Sequence, residues 1–108
     1  MSSVMRYMLM TKLKPRETEQ CLTEDQQNEL CEYLAEHLLP DVSATVHYGR
    51  QFSGPETGVF FFQAVYENME AYEEGARIIS RCTGEFLRKY NAKPYQVLER
   101  SVWHVQGV

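Results

Sequence analysis

The segment Val59 to Tyr66, VFFFQAVY, constrains the fold of this chain more than any other. Side chains along a strand alternate between the two faces of a sheet. Phe60, Phe62, Ala64 and Tyr66 therefore form one row, and Val59, Phe61, Gln63 and Val65 the other. Both rows are mainly apolar, whereas a strand in an antiparallel sheet with one wet face shows an apolar row and a polar row. The segment Val4 to Leu13 repeats the pattern, with Tyr7, Leu9 and Leu13 in one row and Met8 and Met10 in the other. Both faces of the sheet thus call for cover. The supply of rings points the same way: seven Tyr, five Phe and one Trp in 108 residues are more aromatic surface than so small a core readily encloses.

Turn signals divide the chain into six segments in the order β-α-β-β-α-β, with no linker, repeat or low-complexity tract, so residues 1–108 read as one domain. The first strand stops at Lys14-Pro15, because proline cannot donate to a ladder. Thr23 and Gln26 have capping-box spacing at the start of a helix, on which Leu30, Leu34, His37 and Leu38 form an apolar stripe. Pro40 ends it. From Val42 to Phe52 the period becomes two, with Val42, Ala44, Val46 and Tyr48 opposed to Ser43, Thr45, His47 and Gly49. The cluster Ser53 to Gly58 predicts a hairpin turn into the third strand, Val59 to Tyr66. Asn68 is placed to cap a second helix whose stripe reads Met69, Tyr72, Ala76, Ile79, Thr83, Phe86 and Tyr90. Gly84 marks a candidate kink or close backbone contact in that helix. A last strand, Tyr95 to Val105, follows Pro94.

Two helices cover one face of a four-stranded sheet, and no segment remains for the other. A second copy of the chain is the economical cover, since two-fold homodimers are the commonest oligomers. The net charge of −4 and the lack of a Lys/Arg run argue against nucleic acid or an anionic membrane as partner. No stretch approaches the ~18 apolar residues of a membrane span. Arg6, Lys12 and Lys14 break up the N-terminal apolar segment, so it does not read as a secretory signal. Cys21, Cys31 and Cys82 are odd in number and lack zinc spacing, which predicts free thiols, no bound metal and a reducing, cytoplasmic setting. The seven acids between Glu17 and Glu36 fit no calcium loop and read as a solvated helix face.

This order of elements, with the doubly apolar strands, resembles the dimeric α+β barrel superfamily, in which ferredoxin-like βαββαβ protomers pair sheet to sheet. The resemblance implies an α+β fold with a four-stranded antiparallel sheet and two helices on one face. The superfamily includes cofactor-independent monooxygenases of antibiotic biosynthesis, polyketide cyclases, isomerases, haem-degrading enzymes and stress-response proteins. The haem-degrading branch is expected to carry a histidine on the second helix and an asparagine on a strand. The second helix here has no histidine and the first strand no asparagine, and Met1-Ser2 offers no N-terminal proline for tautomerase chemistry.

Several polar residues stand out against this background. If Val42, Ala44, Val46 and Tyr48 pack on the helices, His47 and Thr45 point into the space between sheets, where His47 is either a general base or a hydrogen-bonded interface residue. Gln63 interrupts an apolar row, so it bonds either a ligand or a neighbouring side chain. In the last strand, Gln96, Leu98, Arg100 and His104 share a row by strict alternation, with Tyr95, Val97 and Trp103 on the other; Arg100 either holds an anion or pairs with Glu99 or Glu85. Tyr7, Phe61 and Trp103 would supply apolar walls. Together these residues predict a homodimer that binds a small hydrophobic or aromatic molecule without a cofactor. Its chemistry would be oxygenation, cyclisation or isomerisation with His47 as base and Arg100 as anion stabiliser. The rival is a non-catalytic ligand-sensing or structural dimer in which the aromatic rows form the interface.

Overall fold

The computed structural model describes residues 5–17, 19–55 and 58–106. The expected strand start at Val4 and the turn residues Glu56 and Thr57 lie outside them. The elements are β1 (Met5–Lys14), α1 (Glu24–Leu38), β2 (Ala44–Arg50), β3 (Phe60–Tyr66), α2 (Met69–Lys89) and β4 (Gln96–Gln106). The strands form one antiparallel sheet in the order β2-β3-β1-β4. β1 and β3, the two strands with apolar side chains in both rows, are its centre.

Both helices begin where their caps predict. The Thr23 hydroxyl accepts from the Gln26 amide at 3.2 Å while the Gln26 side chain accepts from the Thr23 amide at 2.9 Å, the reciprocal bonding of a capping box. The Asn68 side chain accepts from the Ala71 amide at 2.8 Å. β2 is shorter than its alternating pattern, and Phe52 beyond it is fully exposed.

The helices cover one sheet face. Phe60, Phe62, Ala64 and Tyr66 are buried there against Leu30, Leu34 and Leu38 of α1 and Ile78, Cys82 and Phe86 of α2, each large side chain contributing about 1.5–3 kcal/mol by leaving water. Two helical stripes differ from expectation. On α1 the buried set is Gln27, Leu30, Cys31, Leu34 and Leu38; His37 is exposed, its Nδ1 2.9 Å from the Tyr33 carbonyl. On α2 the buried set is Ala71, Gly75, Ile78, Cys82 and Phe86, one residue round from the predicted stripe.

Tyr66 is the reason for that rotation. A Cβ on Gly75 would lie 2.6 Å from the Tyr66 hydroxyl, so only a glycine lets α2 sit this close to β3. The close backbone approach sought at Gly84 is at Gly75; the space above Gly84 holds only the end of the Arg88 side chain. Turned this way, α2 leaves Tyr72, Ala76, Ile79 and Thr83 half-buried along one side.

Candidate functional site

That half-buried side of α2 walls a cavity of about 430 Å³ between the helices and strands β1 and β4. Leu9, Leu13, Leu30, Leu34, Ile79 and Val97 make it apolar. Thr11, Gln27, Ser80, Thr83 and Arg100 supply its polar groups. Cavities of roughly 300–1,000 Å³ with mostly apolar walls and a few polar groups are the usual small-molecule sites.

Arg100 reaches this cavity because of a bulge. Lys12 pairs with Glu99 but Leu13 pairs with Val97, leaving Leu98 without a partner. An unpaired residue exchanges the faces of everything beyond it. Val97 and Arg100 thus both line the helix-side cavity, although strict alternation would separate them, and Trp103 falls on the face opposite Val97. Arg100 does not pair with Glu99 or Glu85. Glu99 takes Lys12 at 3.6 Å, and Glu85 accepts from Tyr33 at 3.2 Å and faces Arg81 at 4.0 Å. Among the described residues Arg100 has no ion-pair partner.

Directly across the ladder from Arg100 stands Thr11. It is 7% exposed, and its hydroxyl has no hydrogen-bond partner among the described residues. Gln27, 3% exposed, brings a second buried polar group from α1, its side chain beside the Cys31 thiol. Burial pushes the Cys31 thiol up to about 12, the Gln27 hydrogen bond opposing and Glu32 adding to the rise, so this sulfur is a neutral thiol near pH 7 rather than a nucleophile. Among the described residues no histidine, aspartate or glutamate lines the cavity.

The other predicted residues are elsewhere. Opposed residues of neighbouring antiparallel strands share a face, so the register lays out the uncovered side in rows: Trp103, Met8, Val65 and Thr45, then Ser101, Met10, Gln63 and His47. His47, Thr45, Gln63, Phe61 and Trp103 are therefore together on the uncovered face, across the sheet from Arg100. Gln63 donates to the Met8 sulfur at 3.0 Å, a neighbouring side chain rather than a cavity group. Trp103 donates to Ser101 at 2.9 Å, and Ser101 to Glu99 at 3.1 Å. The Phe61 ring folds over Gly49, where an added Cβ would meet it at 2.9 Å. Phe61 also borders a more open cavity of about 430 Å³ with Lys12, Arg50 and Leu98. Tyr7 and His104 are on the helix side, their rings edge to face at 4.9 Å, but neither lines the cavity there.

Thr11 and Gln27 escaped the sequence reading, though each leaves the kind of signal that singled out Gln63. Thr11 is the one polar interruption in the row Tyr7, Leu9, Leu13, and Gln27 precedes Leu30 and Leu34 by three and seven residues on the buried stripe.

No model of a known protein family and no curated protein matches the chain. Solved structures do. A dimeric ferredoxin-like protein of unknown function from Thermobifida fusca superposes with a TM-score of 0.58 at 10% identity, over 94% of this chain and 91% of that one. A dimeric protein of unknown function and ferredoxin-like fold from Bacteroides fragilis gives 0.55 at 13%, over 95% and 96%. A hypothetical Arabidopsis thaliana protein gives 0.58 at 14%, over 99% and 90%. Their fold is the one built above from caps, rows and register: the chain has a ferredoxin-like βαββαβ fold, similar to that of dimeric proteins.

Proposed function

We propose that the protein is a cytoplasmic homodimer that buries its uncovered sheet face against a second copy and binds a small, partly aromatic organic molecule in the helix-side cavity of each protomer. The observation that carries the dimer is the charge pattern of the uncovered face. Its middle rows hold Met8, Met10, Gln63, Val65 and Trp103 with no Asp, Glu, Lys or Arg, while Lys12 with Glu99 and Arg6 with Glu67 pair off towards the rim at 3.6 and 3.3 Å. Charge-poor centres with polar rims are the anatomy of protein interfaces. The dimeric proteins of the same fold support the same reading, and the three free cysteines suit a reducing compartment.

The cavity is read as a binding site rather than a proton-transfer site. Oxygenation, cyclisation or isomerisation with His47 as base and Arg100 as anion stabiliser needs both groups on one small molecule, and the sheet lies between them. Light scattering at micromolar concentration tests the dimer: a mass of twice 12.6 kDa is expected, and a monomer would overturn it. Native mass spectrometry of the purified protein, before and after denaturation, tests the cavity through release of a co-purified organic molecule.

A further inference from the structure

Resting on the reading of the helix-side cavity as a ligand site, we propose that its ligand is a monocarboxylate with a compact apolar body, held at the carboxylate by Arg100 and Thr11. Three observations converge on this chemistry. Arg100 borders the cavity and has no acidic partner among the described residues, while Arg6, Arg16, Arg50, Arg77 and Arg81 each face a glutamate. A guanidinium is always charged and its fork of donors matches a carboxylate.

Thr11, its cross-strand neighbour, lines the same cavity, and its hydroxyl has no protein partner among the described residues. That hydroxyl is free to donate, and a carboxylate oxygen held by Arg100 is an acceptor placed to take its proton in a hydrogen bond. The remaining wall is mainly leucine, isoleucine, valine and ring carbon with the uncharged Gln27, Ser80 and Thr83, which suits an apolar body and, among the described residues, offers no second cation. A dicarboxylate or a phosphate ester would bury charge against these side chains without compensation.

Size narrows the class further. At roughly 30 Å³ per water-sized group, 430 Å³ admits a body of about a dozen non-hydrogen atoms. 4-Butylbenzoate meets the description, and 4-butylbenzamide is its neutral isostere.

Isothermal titration calorimetry of the full chain at pH 7 with these two probes tests the proposal. The carboxylate is expected to bind about tenfold more tightly than the amide, with the margin shrinking as salt is raised because Arg100 is exposed. Arg100→Gln should erase the margin by weakening only the carboxylate, Arg100→Lys should retain part of it, and Thr11→Val should weaken the carboxylate about fivefold. Ile79→Trp, which fills the cavity, should abolish binding of both probes, with a thermal melt verifying that the variant is folded. Equal affinity of the two probes, unchanged by Arg100→Gln, would overturn the carboxylate assignment while leaving the cavity as an apolar site. Absence of binding by either probe, or binding that survives in folded Ile79→Trp, would overturn the cavity reading and this proposal with it.

Discussion

His47 and Arg100 stand on opposite faces of the same sheet. His47 is opposed to Gln63 on the uncovered side, and Arg100 is opposed to Thr11 above the helix-side cavity. Under the proposed function the two groups belong to two surfaces, one for self-association and one for a ligand, so substitutions on them should act independently.

Val65→Glu places a charge in the middle of the uncovered face. An unpaired charge buried at an interface costs about 3–5 kcal/mol, so the dimer dissociation constant should rise about a hundredfold or more. Light scattering should show monomer while the helical circular dichroism signal persists. Arg100→Gln should leave the mass unchanged.

Tyr66 is fully buried with its hydroxyl unpaired among the described residues. Tyr66→Phe removes a buried polar atom that has nothing to bond, and is expected to stabilise the protein by about 1 kcal/mol in urea unfolding. Gly75→Ala is expected to destabilise it by about 1–3 kcal/mol, because the methyl group meets the Tyr66 ring. Tyr66→Phe in the Gly75→Ala background should recover part of that loss, since the hydroxyl is among the atoms the methyl would strike.

Alkaline pH should unfold the protein in a defined window. Burial pushes Cys31 from 9.0 up to about 12 and Tyr66 from 10.0 up to about 12, with neighbouring Tyr72 adding to the latter. Above pH 9 the unfolded chain releases the Cys31 proton that the folded protein keeps, so stability falls as pH rises. The slope is about 1.4 kcal/mol per pH unit for each such group. Urea midpoints should hold below pH 9 and drop between pH 9 and 12, and Cys31→Ala should move the onset towards pH 10.

Asn68→Ala removes the acceptor of the Ala71 amide and should cost about 1 kcal/mol, read as a lower urea midpoint with an unchanged slope.

The fold was legible because its signals are local. The Thr23–Gln26 capping box and the Asn68 cap lie within four residues, and the two apolar rows of VFFFQAVY depend only on the pleat. The site was less legible because its residues meet through register. Leu98 carries no mark of a bulge, yet its lack of a partner puts Arg100 and Val97 on one face and Trp103 on the other. The α2 stripe differs by one residue because hydrophobicity favours Tyr72, Ala76 and Ile79, whereas the helix turns two small residues, Ala71 and Gly75, towards the sheet and Tyr66.

The sequence by itself determined the order of elements, the helix starts and the conclusion that one sheet lacks cover on one side, since caps, prolines and alternation act over a few residues. The tertiary structure alone decided which polar residues share a space. One bulge and one rotated helix opened the cavity beside Thr11, Gln27 and Arg100 and left His47 and Gln63 behind the sheet, because strand register and helix packing are set by contacts between segments far apart in the chain.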